Sequence, residues 1–360
     1  MVTGLMVRIT ERDVQIVKRD EAIASKDCEI KYRQAQIDQL THEMAVLKRW
    51  KFGRSREQLD STQASLLDEA IFARAGLGVP RSTLGAWVGQ CGLQLQPLVD
   101  ALRQELLGHR VLHADETPVA MLKPGNKKTH HAYLWAYAPG AFEDMKAVVY
   151  DFCESRAGEH ARAFLGDWKG ALVCDDFSGY KQSFTLGVTE AGYMAHSRRK
   201  FLDLHVSNKS QIAGQALSYI SALYDVERKV KSLPAYERLH IRRAQSRPLA
   251  DGLYQWMELK RRQITDGSAT AKALDYSLKR WATLTRFLDD GQLPIDKNWA
   301  ENQIRPVAIG RKNWLFAGSL RAGQRAAAVM SLIQSARLNG HDAYAISKMC
   351  CSVCPHTQTI

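Results

Sequence analysis

Long apolar runs are missing from this chain. No stretch approaches the roughly 18 consecutive apolar residues that a membrane span requires, and the first residues form no apolar block of signal-peptide type. A cytoplasmic location, away from any membrane, is therefore the expectation. Cysteine is scarce as well: the seven present are an odd number, and Cys28, Cys91, Cys153 and Cys174 are too scattered to frame a disulfide scaffold, in keeping with a reducing compartment. Acidic residues fall short of basic ones, 38 against 50, for a net charge of +12 and a pI near 9.4. That balance favours an acidic partner such as nucleic acid, although charge alone also fits a ribosomal or membrane-surface protein. No Gly-Lys-Ser/Thr sequence closes a glycine-rich loop, so a phosphate-binding P-loop is excluded.

What is present is enough for a core: 360 residues, 45% of them apolar, allow two or three domains. Ile9, Ile16, Ile23, Ile30, Ile37 and Met44 recur every seven positions, joined by Leu40 and Leu47, which is the period of a coiled coil. Arg19, Lys26 and Arg33 stand where the second apolar residue of the earlier heptads belongs, so one long amphipathic helix lying on its own protein is the alternative. A basic cluster with two aromatics follows, Lys48 to Arg56, in which Arg49, Lys51, Arg54 and Arg56 suit phosphate contacts and Trp50 and Phe52 suit stacking. A solvated charged face is the plainer reading. The spacing sets residues 1–60 apart as helix and basic segment, and 61–109 as a linker with bracing helices, one of them starting near Pro80 and running to about Leu107.

From residue 110 the pattern turns to short apolar or alternating runs at 110–115, 131–138, 146–153 and 171–175, with a helical stretch near 157–168. This is an α/β order, and it fits an RNase H-like core of three antiparallel strands, a helix and a parallel fourth strand. Mostly helical text follows to about 290: Ile212–Leu233, Tyr236–Arg262 and Ala271–Leu288. Two of the strand-like runs end in carboxylates, Val111-Leu112-His113-Ala114-Asp115 and Ala171-Leu172-Val173-Cys174-Asp175. A third carboxylate, Glu301, lies inside the basic, aromatic run from Asn298 to Ser319. Alternation puts Val111, His113 and Asp115 on one face of their strand and sends Glu116 to the other. Hard divalent ions such as Mg²⁺ or Mn²⁺ need few carboxylates, and two ions about 3.5–4 Å apart stabilise both the attacking and the leaving oxygen of a phosphodiester. Asp115, Asp175 and Glu301 are the expected ligands, with either aspartate bridging two ions, and Glu116 and Asp176 are neighbours to be tested against them.

These segments, together with His196-Ser197-Arg198-Arg199-Lys200-Phe201 and Trp281 to Leu288, resemble the catalytic core of the IS66-family transposases, DDE-type enzymes of bacterial insertion sequences. The likeness covers about Ile71 to His341, with residues 298–319 its most specific part. It implies an RNase H-like catalytic domain over 110–341 with a helical insertion at about 198–290. It further implies cleavage at element ends, joining to target DNA, a homo-oligomer and companion proteins of the same element. His196, Arg198, Arg199 and Lys200 are then candidates for DNA or a leaving phosphate, against a solvated helix start. Arg305, Arg311, Lys312 and Trp314 are candidates for backbone contacts and stacking, with Gly310 and Gly318 bracketing a hairpin or loop.

Relatives of this type carry paired Cys-x-x-Cys zinc ligands where residues 61–80 stand, and this sequence does not. The stretch 342–360 also departs from the family, and Cys351 and Cys354 alone make a weak zinc pair. A silent remnant that only binds DNA, and a nuclease that cuts without joining, stand as alternatives to an active transposase.

Overall fold

The structure, a computed structural model, describes residues 80–123, 125 and 128–353 together with residue 26. The expected coiled coil and basic cluster of 1–60, including Arg49, Lys51, Arg54 and Arg56, lie outside the described residues. So do residues 61–79 and the tail from 354. What is described belongs to the part of the chain from Ser82 onward, but for Lys26, Pro80 and Arg81.

Two helices lead in, α1 (Arg81–Gln94) and α2 (Gln96–Leu107). The sequence suggested one helix here; Pro97 divides it, because proline loses nothing in a first turn whose N–H groups are unpaired anyway. Strand β1 (Val111–Met121) follows and forms the centre of a sheet with β2 (His130–Pro139), β3 (Val149–Cys153), β4 (Ala171–Val173) and β5 (Thr189–Ala191). The order is β3-β2-β1-β4-β5. β1, β2 and β3 are antiparallel in sequence, while β4 runs parallel to β1 and β5 parallel to β4. The chain crosses from β3 to β4 through α3 (Gly158–Leu165).

Alternation along β1 sorts its side chains onto two faces. Leu112 and Ala114 face Trp135 and Tyr137 of β2 and are covered by Val99 and Leu106 of α2 and by Ala161, Phe164 and Leu165 of α3. Phe164 stacks on Tyr137 with centroids 3.6 Å apart, and Arg103 of α2 donates to the terminal carbonyls of α3 at Ala163 and Phe164. On the other face Val111 joins the core of the helical block, whereas Val119 and Met121 pack under Ile304 and Val307.

The short α4 (Lys181–Thr185) leads to β5, a strand too brief and too polar to stand out in the sequence. After it come α5 (Met194–Asn208), α6 (Gln211–Val230), α7 (Ala235–Ile241), α8 (Arg247–Arg262), α9 (Ala269–Lys279) and α10 (Trp281–Leu284). The continuous helix expected over Tyr236–Arg262 is interrupted by a π-helical turn at Arg242–Ser246, where both end residues are fully buried. The Arg242 guanidinium pairs with Glu227 at 2.6 and 2.7 Å and donates to the carbonyls of Phe287, Asp290 and Leu293 at 2.9 Å. One buried cation thus fixes the return path from the helical block to the sheet.

That path enters α11 (Asn298–Trp314) and continues through α12 (Leu320–Leu338) to α13 (Ala343–Val353). The hairpin or loop expected between Gly310 and Gly318 is present only in its second half: α11 runs through Gly310 to Trp314, and the loop begins at Leu315. The buried stripe of α11, formed by Ala300, Gln303, Ile304 and Val307, has helical spacing and outweighs the weak helix preference of one glycine and Pro306. α12 lies along the free edge of β3, where Ser335 and Ser331 accept from the N–H groups of Val148 and Tyr150 at 3.0 and 2.8 Å. An otherwise open strand edge is closed in this way.

Replacing Arg242 by Met leaves Glu227 buried without its cation and is expected to cost about 3–5 kcal/mol in urea unfolding, part of it recovered by adding Glu227→Gln. A loss under about 1 kcal/mol would contradict the role given to this pair. Gly323 of α12 has no room for a Cβ against the Phe152 ring of β3, so Gly323→Val is expected to destabilise by about 1–3 kcal/mol in the same assay.

Candidate active site

Parallel pairing aligns Val111 with Ala171, Leu112 with Leu172 and His113 with Val173. The pairing ends there, two residues short of Asp115 and Asp175, which the same offset would align if the ladder continued. Asp175 stands just past the end of β4, its Oδ1 accepting the Phe177 N–H at 3.2 Å in a tight turn. Asp115 feels the charge of Asp175: burial raises its pKa first, Lys297 opposes that shift, and Asp175 adds to it.

Lys297, at the entry to α11, supplies the cation. Its Nζ donates to Asp115 Oδ1 at 3.0 Å, with the two side chains only 6% and 13% exposed. It also lies over the Tyr193 ring, 4.9 Å from the centroid. Burial disfavours its charge, yet Asp115 and Tyr193 together hold its pKa above the ordinary lysine value. Beneath Asp115 on the same face, His113 is fully buried with neither ring nitrogen hydrogen-bonded, and burial followed by Lys297 pushes its pKa down to about 3. A neutral imidazole therefore underlies the charged pair.

Glu116 turns to the opposite face, where Tyr180 donates to it at 2.8 Å and Arg156 at 2.5 and 3.0 Å. The Arg156 guanidinium lies 3.9 Å from the Phe177 centroid, tying the Asp175 turn to β1. Asp176 is held by Arg280 and by Lys181, the latter at 2.8 Å. Both neighbours of the proposed ligands are thus engaged by arginine.

Glu301 is half-buried in the first turn of α11, its N–H donating to the Lys297 carbonyl at 3.1 Å. Four residues apart, the two side chains share one helix face. Glu301 is not drawn into a cluster with the aspartates: among the described residues no three His, Cys, Asp or Glu side chains converge closely enough to hold one ion. Asp115 and Asp175 offer hard oxygen donors, the kind that divalent ions of the Mg²⁺ or Mn²⁺ type take.

His196 is half-buried on α5, 3.3 Å from the Tyr193 hydroxyl, its pKa lowered by burial and then Lys200 while Asp175 opposes. Arg198 and Arg199 are exposed on the same helix, and Lys200 lies 4.5 Å from the Tyr276 centroid. Arg305 is exposed on α11. Arg311, Lys312 and Trp314 occupy its last turn, with side chains outside the described residues. Lys297 and Arg156 were not singled out by the sequence reading, which placed His113 on the face of Asp115 without giving it a role. For Lys297 a signal existed, its i, i+4 spacing to Glu301.

With this geometry in place, comparison with known proteins sets the chain among transposases. The family model described as "Transposase IS66 family" matches residues 68–325, and the chain belongs to that family. A second model, "Transposase C of IS166 homeodomain", matches residues 39–85. Among similar proteins are three of Sinorhizobium fredii, each described as uncharacterized. The chain is 37% identical to y4qI over 286 residues, 76% of this chain and 53% of that one. It is 35% identical to y4jD and 32% identical to y4hP, covering 56% and 53% of them. The chain thus spans about half the length of the curated relatives it matches. Among the described residues no helix is long and apolar enough to cross a membrane.

Removing the Arg156 charge tests the electrostatics around Glu116. Burial and then Asp175 raise the Glu116 pKa above its usual 4.5, so stability from this group is complete below that value and is lost as pH rises through the folded pKa. Arg156→Met is expected to enlarge that loss, destabilising by about 1–3 kcal/mol and more at pH 8 than at pH 5. Thermal unfolding at the two pH values reads it out; an equal loss at both would contradict the pairing.

Proposed function

We propose that the chain is an insertion-sequence transposase of DDE type that cuts DNA at element ends and joins the freed 3′-hydroxyl to target DNA. The observation that supports this reading is the parallel register of β1 and β4, which ends two residues short of Asp115 and Asp175, in a chain of this family. The sheet order supports an RNase H-like core: three antiparallel strands, a crossover helix, and a fourth strand parallel to the first. Asp115 and Asp175 would hold the divalent metal, Mg²⁺ or Mn²⁺, and Glu301 of α11 would have to move in to serve as its third ligand. When bound, such an ion stabilises negative charge on the attacking and leaving oxygens of a phosphodiester.

The chain's own groups bind and orient the strand. Arg198, Arg199, Lys200 and Arg305 neutralise phosphates, and His196, which feels the Asp175 charge, donates to a non-bridging oxygen. Arg49, Lys51, Arg54 and Arg56 fall within the match at residues 39–85, which supports a DNA-contacting segment there; Arg311, Lys312 and Trp314 are assigned backbone contacts and stacking. In the first step water attacks phosphorus, the bond to the 3′ oxygen breaks, and the proton lost by water balances the one gained by the 3′-hydroxyl. In the second, that 3′-hydroxyl attacks a target phosphodiester, one new P–O bond replacing one broken. A homo-oligomer would bring two element ends together, with companion proteins of the element as further partners.

A second reading, a DNA-binding chain that does not cut, is favoured by one observation: Glu301 forms no three-carboxylate group with the aspartates. Labelled element-end DNA with Mg²⁺ or Mn²⁺ separates the readings. Cleavage and joined products are expected from the wild type, with rates falling about a thousandfold or more in Asp115→Asn, Asp175→Asn and Glu301→Gln. Asp176→Asn should stay within about threefold of wild type, since that carboxylate is engaged by Arg280 and Lys181. Salt-sensitive binding without cleavage would favour the second reading, nicks without joining would indicate a nuclease, and cleavage surviving Asp115→Asn would refute the assigned site.

A further inference from the structure

The cations of α5 are kept differently from those around them. Within the helical block Arg242, Arg247, Arg261 and Arg280 each pair with a carboxylate. Arg198, Arg199 and Lys200 have no carboxylate partner among the described residues, and Lys200 instead rests its ammonium on the ring of Tyr276, 4.5 Å from the centroid. A cation–π contact at such a half-open site is weak, so the ammonium is free to leave for a phosphate oxygen. Three cations left without anions beside an aromatic ring suit a polyanion that also carries flat apolar faces.

Tyr276 is placed to meet such a face. It stands in the last turn of α9, half-buried, with its ring centroid 5.7 Å from that of His196 and the two planes 34° apart. Next to it Ser277 locks α9 to α5, sharing a buried hydrogen bond with Ser197 at 2.7 Å and donating to the Ala273 carbonyl at 3.0 Å. The backbone that carries the ring is therefore fixed. Four residues on, Arg280 grips Asp176 and donates to Glu190 at 2.7 Å, which ties the same end of α9 to the turn that holds Asp175. Tyr276 senses that turn: burial raises its pKa, Arg280 opposes the rise, and Asp176 and Asp175 add to it. The ring thus stands where the unpaired cations of α5 meet the Asp175 turn.

A base inside a duplex has both faces covered by its neighbours and shows a protein only its edges. A ring at this place stacks only on a base that has left the duplex. The geometry points to a nucleotide subsite: Tyr276 stacks on the base of one unpaired nucleotide adjoining the phosphate to be cut, while Lys200, moved off the ring, takes that nucleotide's phosphate. The inference rests on the proposed reading of α5 as a strand-contacting helix, and it adds the form of DNA taken there, an end with an unpaired nucleotide in place of a fully paired duplex. It gives the helical block a task of its own, since the ring comes from α9. Every base has a face, so the subsite selects for an unpaired nucleotide and not for its identity.

Binding by the full chain without any divalent ion tests this apart from cleavage. The probes are a blunt duplex and the same duplex with a single-stranded overhang carrying 2-aminopurine at its first unpaired nucleotide. The wild type is expected to bind the overhang DNA about tenfold more tightly and to quench the 2-aminopurine. Tyr276→Leu should lose both the preference and the quenching while still binding the blunt duplex, and Tyr276→Phe, which keeps the ring, should retain them. Lys200→Gln should weaken binding of both DNAs and lower the slope of log affinity against log salt by about one. Equal affinity of the wild type for the two DNAs overturns the inference, and so does a folded Tyr276→Leu that still quenches. Where that variant does not fold, 5-iodouracil at the same nucleotide decides in the wild type: a photo-adduct on Tyr276 upholds the subsite, and adducts elsewhere overturn it. Overhang preference in a chain that never cuts would leave the subsite standing and remove the proposed reaction; cutting without that preference would do the reverse. A chain that binds neither DNA overturns both.

Discussion

Three residues of parallel pairing between β1 and β4 set everything that follows. Side chains alternate with a period of two, so a slip of one residue would move Leu172 to the opposite face of the sheet and shift the start of the Asp175 turn along β1. The register is held from both sides. Ala171, Leu172 and Val173 are all buried, as a central parallel strand requires, β5 pairs along the far edge, and the Arg110 carbonyl accepts the Ala171 N–H at 2.8 Å just before the pairing begins. Because β4 stops at Val173, Asp175 lies in a turn outside the ladder, close enough to influence Asp115 on one face of β1 and Glu116 on the other.

The rest of the described chain delivers a cation to that pair. Lys297 arrives from a segment that Arg242 clamps through three carbonyls and that Arg238 supports from the same helical layer through the carbonyl of Gly291. α11 is fixed to the sheet in turn: the Trp299 indole donates to the Pro139 carbonyl at 3.1 Å, and the Tyr150 hydroxyl donates to the Gln303 carbonyl at 2.5 Å. A buried ion pair adds little net stability over an apolar packing, but breaking one by removing a partner costs about 3–5 kcal/mol. The Lys297–Asp115 pair is thus better understood as fixing where α11 begins than as a source of stability.

Much of this was legible in the sequence. Four of the five strands announced themselves as apolar or alternating runs, and Asp115 and Asp175 stood at the ends of two of them. β5 was hidden because Thr189-Glu190-Ala191 has no apolar run, its place being set by pairing with β4. The length of α11 was obscured by Pro306 and Gly310, local signals that the buried stripe beneath the helix overrides. Lys297 was one of 50 basic residues, and its i, i+4 spacing to Glu301 does not reveal that it ends against a buried aspartate from a distant strand. Arg242 was concealed for the same reason, since its partners come from residues 227 and 287–293. Contacts between distant segments, not local pattern, decide which charged residues go inside.

The most direct measurement is the anomalous difference map of a Mn²⁺-soaked crystal of the full chain. The account predicts a peak between the carboxylates of Asp115 and Asp175. Manganese bound at Glu116, or elsewhere with Asp115 not among its ligands, would contradict it.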